Sequence, residues 1–339
     1  MKKLFTETEE LIKTHVLNES DTQTIIHGEE CSIYKMENNT GEGIIIRYSV
    51  FPGIEILYND IHMTNGVRHN ATPRADIIEI NHCRIGRFEC EFSNGETAYL
   101  GEGDLAVNVM TNVARESWFP LSHYHGITIA VDISLATQVL KQVSNALGRG
   151  LSFDLFSMKE SLCQGNSCFI MRATDSIQHI FSELYKTPED LKSGYFKIKV
   201  MELFLFLNSP EITAKREERQ YFNKIQIESI KAIRQYLIQN LHRHVTLKEL
   251  SHTFNYPLTS MKLCFKEVYG SSINTYMQAY RVQFAAQLLR ESNDGITNIS
   301  YQVGYQNASK FSEVFKQFIG QTPTEYRKSF CLKGGRSVL

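Results

Sequence analysis

The sequence predicts an α+β protein of two domains, a β-rich domain with flanking helices followed by an all-α domain. At 339 residues the chain is longer than one typical domain and can bury two cores. Apolar residues alternate up to about residue 132 and then recur three and four residues apart, which indicates strands followed by helices. Net charge divides as well, because residues 222–339 hold 15 Lys+Arg and 7 Asp+Glu, a net of +8, against −9 for residues 1–221.

This charge asymmetry suggests that the C-terminal half contacts a polyanion while the N-terminal half has another task. Two differently solvated surfaces are the alternative that charge alone leaves open.

The cysteine pattern and the apolar runs indicate where the protein resides. Seven cysteines are scattered without a compact framework, which argues against a disulfide-stapled secreted protein and predicts reduced thiols. No run reaches the ~18 apolar residues of a membrane helix, and the N-terminal "MKKLFTETEE" turns acidic. We therefore expect a cytoplasmic protein without a membrane partner.

Strand patterns occupy about residues 29–132. The clearest alternation places Phe88, Cys90 and Phe92 on one face of a strand. Asn94-Gly95 follows as a hairpin signal, and Thr97–Leu100 is the predicted return strand. Many short strands joined by glycine-containing turns predict a small barrel or a sandwich.

Helical spacing follows in "ISLATQVLKQVSNALG", "DSIQHIFSELYKT" and "YFKIKVMELFLFLNSP". The last helix is apolar almost all round, so it either packs inside the domain or meets a second subunit in a homodimer. The polar segment "SPEITAKREERQ" is the best linker candidate. The resulting boundaries are residues 1–208 for the first domain (strands about 29–132, helices about 133–208), 209–222 for the linker, 223–330 for the all-α domain and 331–339 for a tail.

A repeated phrase marks the all-α domain. "FKEVYG" begins at Phe265 and "FKQFIG" at Phe315, while "ELSHTFNY" aligns with "NISYQVGY" at an offset of 49 residues. Each unit is predicted to contain a short helix, a tight turn and a second helix. The second helices span about Leu258–Tyr269 and Ala308–Ile319, and a glycine ends each one.

Local signals set the boundaries of these units. Thr246 and Thr322 begin capping boxes, and Asn255 and Gly304 are suited to the left-handed conformation that a sharp turn requires. The segment "SINTYMQAYRVQFAAQLLRES" predicts one long amphipathic helix between the units. Two helix-turn-helix units on a linking helix suit two successive major grooves of DNA, which lie ~34 Å apart.

This region, about residues 223–328, resembles the AraC/XylS family of transcription regulators in "LKEL", "FKEVYG", "YMQAYRVQFAAQLL" and "ISYQVGYQNASKFSEVFKQFIGQTPTEYR". It departs from that pattern at Ser251 and Ser300, where the family often has Ala, at Asn255, where it often has Gly, and at Pro257, where it often has a capping Ser. The resemblance implies binding to double-stranded promoter DNA, with RNA polymerase as a candidate further partner.

The same resemblance implies which residues face the DNA. The base-contact candidates are Leu258, Thr259, Lys262, Leu263, Asn307, Ala308, Ser309, Ser312 and Glu313. Side-chain chemistry agrees, since Asn307 can pair with adenine, Glu313 can accept from cytosine and Lys262 can donate to guanine. Lys266, Lys310 and Lys316 are the phosphate-contact candidates. For any one of these exposed residues, plain solvation is the alternative.

For the N-terminal half, the resemblance implies a cupin-like barrel that binds a small-molecule effector or mediates dimerisation. The effector-pocket candidates are His82, Arg87, Glu89, His123 and His125. The charged residues of this group either line a pocket or face water. His123-x-His125 has a spacing that barrel metal sites use, but the further Glu and His of such a site have no evident counterparts, so we expect no metal and no cofactor.

The leading hypothesis is therefore a sequence-specific, effector-responsive transcription regulator with no catalytic residues. A cupin-type metal enzyme fused to a DNA-targeting tail and a ligand-independent DNA-binding protein are the alternatives. Cys163 and Cys168 do not supply the four-cysteine pattern of a zinc-thiolate repair domain, so enzyme activity is not expected.

Overall fold

The computed structural model describes residues 22–28, 30–68, 73–148, 151–209, 212 and 224–334. The chain forms two compact units, Met1–Tyr221 and Phe222–Leu339. The predicted linker at residues 209–222 lies almost wholly outside the described residues, as do residues 335–339 of the predicted tail.

The first unit is built from antiparallel strands followed by helices. Its strands are β1 (Thr22–Ile26), β2 (Cys31–Asn38), β3 (Gly41–Phe51), β4 (Ile54–His62), β5 (Asn65–Arg68), β6 (Ile77–Gly86), β7 (Phe88–Phe92), β8 (Thr97–Leu100), β9 (Leu105–Val109), β10 (Ala114–Trp118), β11 (Tyr124–Asp132) and β12 (Phe169–Met171). Its helices are α1 (Ile133–Leu147), α2 (Leu155–Leu162), α3 (Asp175–Lys186) and α4 (Lys192–Leu207). The strands β1–β11 precede the helices as expected, although they begin earlier, at Thr22, and β12 lies between α2 and α3, inside the region predicted to be helical.

The strands form two sheets. An eight-stranded sheet has the order β1-β2-β3-β4-β11-β6-β9-β12, and a four-stranded sheet has the order β5-β10-β7-β8. No hydrogen-bonded ladder joins the two sheets among the described residues, so the barrel of the cupin-like expectation is not closed. A shared core of both sheets, including Leu57, Cys83, Phe92 and Leu100, makes the arrangement a sandwich.

The predicted hairpin is confirmed. β7 pairs antiparallel with β8, with Phe88 opposite Leu100. Gly95 lies in the left-handed region at φ 84°, and the Asn94 side chain accepts a hydrogen bond from the Glu96 amide at 2.9 Å. The Asn-Gly pair therefore forms the turn because glycine adopts the left-handed conformation that a tight hairpin requires.

The helices of the first unit cover the opposite face of the large sheet. Ile56, Ile80 and Ile129 of that sheet share one buried core with Phe181 of α3 and Phe204 of α4. Most of the apolar surface of α4 is buried in this core, but Ile198 and Leu205 remain 58% and 38% exposed. The helix therefore packs inside the domain and leaves a small apolar surface exposed, and the contact with a second subunit stays a prediction.

The second unit consists of helices. They are α5 (Lys224–Gln239), α6 (Leu247–Thr253), α7 (Leu258–Tyr269), α8 (Ile273–Glu291), α9 (Ile296–Gln302), α10 (Ala308–Ile319) and α11 (Pro323–Gly334). The pairs α6–α7 and α9–α10 are the two predicted helix-turn-helix units, and α8 is the predicted linking helix. Within the described residues, no helix combines the length and the apolar character needed to cross a membrane.

The repeated Phe-Lys-x-x-x-Gly phrase has the same structural role in both units. Phe265 and Phe315 are fully buried. Gly270 and Gly320 adopt left-handed φ angles of 80° and 82°, and their amides donate to the carbonyls of Lys266 and Lys316, each at 2.8 Å. The phrase thus anchors each second helix in the core and ends it.

Each helix-turn-helix contains a left-handed residue in its turn, as predicted. Asn255 has a φ of 45° and Gly304 a φ of 83°. The buried hydroxyls at the two family departures are satisfied, because Ser251 Oγ donates to the Tyr256 carbonyl at 2.6 Å and Ser300 Oγ donates to the Thr297 carbonyl at 2.7 Å. Serine is therefore accommodated at these positions without an unpaired polar group.

Gly304 also permits a close approach between segments. A Cβ at this position would lie 2.2 Å from the Leu241 carbonyl oxygen, whereas a Cβ at Gly320 would meet open space. The two glycines have nearly equal φ angles, so they differ mainly in crowding.

We expect Gly304→Ala to destabilise the second unit by more than Gly320→Ala does. The left-handed backbone costs each variant about 1–2 kcal/mol, and only Gly304→Ala adds the clash with Leu241. Amide hydrogen exchange of α10 in the full chain measures this difference. Equal loss of protection in both variants would contradict the close approach.

Candidate nucleic-acid interface and ligand cavity

Helix α7 presents one face to its unit and one to solvent. Met261, Cys264 and Phe265 are buried, and Thr259, Lys262 and Lys266 are exposed. Leu258 is half-buried and Leu263 is 38% exposed. The four base-contact candidates of this helix therefore retain accessible surface, and its N-terminus is preceded by Pro257, which provides no side-chain cap.

Helix α10 has a stronger N-terminal cap. The Asn307 side-chain oxygen accepts hydrogen bonds from the amides of Ser309 at 2.8 Å and Lys310 at 3.2 Å. Its oxygen is thus occupied by the helix, while its exposed amide nitrogen can still donate. Pairing of Asn307 with adenine through both the oxygen and the nitrogen of its amide requires this cap to open.

The remaining candidates on α10 are also partly engaged within the helix. Ser309, Lys310, Glu313 and Lys316 are exposed, and Ala308 is half-buried. Ser312 Oγ donates to the Ala308 carbonyl at 2.9 Å. Lys310 forms an exposed ion pair with Glu313 at 2.9 Å, which is weak enough to be exchanged for a phosphate contact.

Partly buried polar contacts hold the helices behind this surface. Arg281 of α8 donates to the carbonyls of Leu241 at 3.2 Å and Arg243 at 3.0 Å. Arg243 in turn donates to Glu249 of α6 at 2.7 Å. At the start of α6, Thr246 Oγ1 accepts from the Glu249 amide at 3.1 Å, and the Glu249 carboxylate is engaged by both Arg243 and the Thr246 backbone. At α11, the capping box is complete through Thr322 and Glu325.

A cavity of about 120 Å³ lies between the two sheets of the first unit. The sheet of β7, β8 and β10 supplies a mostly apolar wall. The large sheet supplies a more polar wall. The polar and aromatic residues that line the cavity include Asn59, Glu79, Asn81, Phe88, Asn108, Phe119, Tyr124 and Thr128.

The alternation of β6 divides its side chains between two environments. Ile78 and Ile80 belong to the core beneath the helices, whereas Glu79 and Asn81 line the cavity. Glu79 is half-buried, and its desolvation in the cavity wall raises its pKa to about 7. None of the described residues forms a hydrogen bond or ion pair with this carboxyl group. Because no donor or cation stabilises its charged form, burial favours the neutral acid.

Asn108 lies directly across the sheet from Glu79. Its Nδ2 donates to the Asn112 carbonyl at 3.2 Å, which fixes the orientation of the amide. Its Oδ1 is buried and has no hydrogen-bond partner among the described residues. Two neighbouring acceptors without donors therefore face each other across β6 and β9.

A short hydrogen-bond chain satisfies the next polar residues. Asn59 Nδ2 donates to Thr128 Oγ1 at 3.0 Å, and Thr128 Oγ1 donates to Asn81 Oδ1 at 2.7 Å. This chain crosses β4, β11 and β6 and holds three of the polar side chains in fixed positions.

The five pocket candidates from the sequence lie elsewhere in the first unit, and none of them lines this cavity. The His82 ring stacks on Phe181 at 4.0 Å, and burial followed by the Arg84 charge lowers its pKa to about 4. His125 lies near Tyr185, with ring centroids 5.4 Å apart. Both histidines thus face the helices.

The other three candidates lie near the ends of strands or on the outer face of the small sheet. His123 precedes β11 and its Nδ1 is 3.0 Å from the Leu121 carbonyl, Arg87 connects β6 with β7, and Glu89 is buried and accepts from the Tyr99 hydroxyl at 3.4 Å. Glu89 therefore does not face water. Across the part of the chain that the structure describes, no group of three or more His, Cys, Asp or Glu residues is arranged to hold a metal ion.

Comparison with known proteins matches residues 250–329 to the family described as "Helix-turn-helix domain". The HTH-type transcriptional activator RhaR of Mannheimia succiniciproducens is 30% identical over 121 residues, 36% of this chain and 43% of that protein. The raffinose operon transcriptional regulatory protein RafR of Pediococcus pentosaceus is 32% identical over 94 residues, 28% of this chain and 34% of that protein.

Among solved structures, the C-terminal domain of AraT, a response regulator from Geobacillus stearothermophilus, is similar with a TM-score of 0.29 and 26% identity, over 30% of this chain and 84% of that chain. The chain spans less than half the length of either regulator named above.

We expect Glu79→Gln to stabilise the first unit at high pH only. The folded-state pKa of about 7 lies above the ordinary value of 4.5, so the folded state retains a proton that the unfolded state has released between these values. Wild-type stability therefore falls as pH rises from about 4.5 through 7, and the variant should gain up to about 3 kcal/mol above pH 7 and little at pH 4.5.

Thermal unfolding followed by the fluorescence of Trp118, the single tryptophan, measures this difference in the first unit. Glu102→Gln, at an exposed carboxylate, is the matched control and should change stability at neither pH. A gain of the same size at both pH values would show that Glu79 does not carry the raised pKa.

Proposed function

We propose that this chain, whose C-terminal region is a helix-turn-helix domain of the AraC/XylS type, is a sequence-specific DNA-binding transcription regulator. The observation that carries the proposal is the repeated helix-turn-helix. Two second helices, α7 and α10, are anchored by the same buried phenylalanine and ended by the same glycine cap, in a half with a net charge of +8. Two such helices in one chain suit two half-sites in successive major grooves.

The exposed residues of these helices fall into two groups, those proposed to contact bases and those proposed to contact phosphates. Lys262, Thr259 and Ser309 are proposed to contact base edges, where side-chain donors and acceptors distinguish base pairs. Lys266, Lys310 and Lys316 are proposed to contact phosphates, which position the protein and make binding salt-dependent. Asn307 is proposed to cap α10 and to contribute its amide nitrogen to the interface.

The first unit is proposed to sense a small-molecule effector in the cavity between its sheets. A partly polar cavity with fixed hydrogen-bonding groups is the usual form of a ligand site. The acidic balance of residues 1–221 makes this half unsuited to DNA, which supports a separate task for it.

We also propose a homodimer formed through α4 and a place of action in the cytoplasm, where RNA polymerase is the candidate further partner. Ile198 and Leu205 are seven residues apart and hence lie on one side of the helix, and both are exposed. A second copy of α4 would bury this apolar pair.

We expect Lys262→Ala and Lys316→Ala to weaken DNA binding in different ways. Loss of a base contact should reduce affinity for the selected site by about 5- to 150-fold and affect scrambled DNA far less, since each good base contact contributes about 1–3 kcal/mol. Loss of a phosphate contact should weaken both DNAs alike and reduce the salt slope by about 1.

Fluorescence anisotropy of the full chain at several salt concentrations measures both effects. Lys141→Ala, an exposed lysine in the first unit, removes the same charge and should leave binding unchanged. If the α7 and α10 variants each lost the same affinity on both DNAs, the division into base and phosphate contacts would be wrong.

We expect Ile198→Asp to weaken self-association at least tenfold, because a buried carboxylate at an apolar contact carries a desolvation cost. Sedimentation velocity of the full chain measures the change. Leu147→Asp, at an exposed leucine of α1, is the matched control. A wild-type monomer at micromolar concentration, or an unchanged dimer in the Ile198 variant, would contradict the proposed interface.

A further inference from the structure

We propose that the cavity between the two sheets binds a small primary amine, with its ammonium group against the Glu79 carboxylate and Asn108 Oδ1 and its apolar body against the small sheet. This inference rests on the proposal that the first unit binds an effector there, and it specifies the chemical class of that effector.

The two unsatisfied acceptors are the first reason. Glu79 has no hydrogen-bond or ion-pair partner among the described residues, and Asn108 Oδ1 is buried without a donor. The two residues face each other on adjacent strands. Buried acceptors without donors are costly. A single ammonium group carries three N–H donors and can satisfy both.

The charge of the wall is the second reason. Among the described residues that line the cavity, Glu79 is the one carboxylate, and none is a lysine, arginine or histidine. A cation therefore gains an ion pair on entering, whereas a carboxylate ligand would meet a like charge with no compensating cation. The pKa of Glu79, raised to about 7 by burial, is consistent with a carboxyl group that ionises fully only when a cation arrives.

Aromatic side chains from both sheets determine the shape of the ligand. Phe88, Phe119 and Tyr124 form an aromatic cluster with ring centroids 5.5–5.8 Å apart, and all three line the cavity. The cavity volume of about 120 Å³ is comparable to the ~150 Å³ cavity that accommodates benzene. One ring or a short branched chain bearing an amine therefore fits, and a larger amphiphile does not.

The hydrogen-bond chain explains why the amine should bind at one end of the cavity. Thr128 uses its donor on Asn81 and accepts from Asn59. These neighbours already satisfy one another in part, so the unmet demand for donors is concentrated at Glu79 and Asn108.

Isothermal titration of the full-length protein at pH 7.5 tests the inference with three probes of equal size: benzylamine, benzyl alcohol and benzoate. Benzylamine should bind at one site per chain, at least tenfold more tightly than benzyl alcohol, and benzoate should not bind. Glu79→Gln and Asn108→Leu should each weaken benzylamine at least tenfold, whereas Glu102→Gln should leave it unchanged. The probe comparison uses the wild-type protein and so does not depend on the folding of any variant.

Binding of benzyl alcohol or benzoate as tight as that of benzylamine would overturn the inference, as would unchanged benzylamine affinity in a folded Glu79→Gln variant or no benzylamine binding at all. DNA binding by the same preparation is measured separately. Specific DNA binding without amine binding would refute the ligand class and leave the regulator intact, whereas amine binding without specific DNA binding would refute the proposed function alone.

Discussion

The left-handed residue in each turn of the second unit is the constraint on which its arrangement depends. Asn255 and Gly304 reverse the chain within a few residues, and this reversal sets the direction of α7 and α10. At Gly304 the backbone also passes close to the Leu241 carbonyl. That carbonyl is one of the two to which Arg281 donates hydrogen bonds. The exposed faces of the second helices are therefore positioned by these backbone contacts.

In the first unit, the alternation of side chains along strand β6 has a comparable structural effect. Because alternate residues of β6 face opposite sides, one strand supplies Ile78 and Ile80 to the core beneath the helices and Glu79 and Asn81 to the cavity between the sheets. The helices on one face exclude water from the strand and the small sheet closes the other face. A carboxyl group in such surroundings is costly to ionise, which is the physical basis of its raised pKa.

Local signals in the sequence predicted the second unit well, since caps, turns and glycine stops act over a few residues. The bounds of α7 and α10, the turn at Asn255 and the cap at Thr322 all follow from adjacent residue types. The cavity did not follow, because it depends on register between distant strands, such as Glu79 opposite Asn108. The sequence does contain one signal of the cavity, the segment Ile78-Glu79-Ile80-Asn81, in which polar residues alternate with isoleucines. The chemistry of His82 makes it a pocket candidate in the sequence, but its ring stacks on Phe181 beneath the helices.

The measurement that tests the central claim most directly is in vitro selection of DNA from a random-sequence library by the full-length protein, at a salt concentration near 150 mM, where non-specific binding is weak. Two helix-turn-helix units acting together predict an enriched site with two short conserved blocks centred about one helical turn, ~10.5 base pairs, apart. A library in which no sequence is enriched would contradict sequence-specific DNA binding, and a single enriched block would contradict the joint use of α7 and α10.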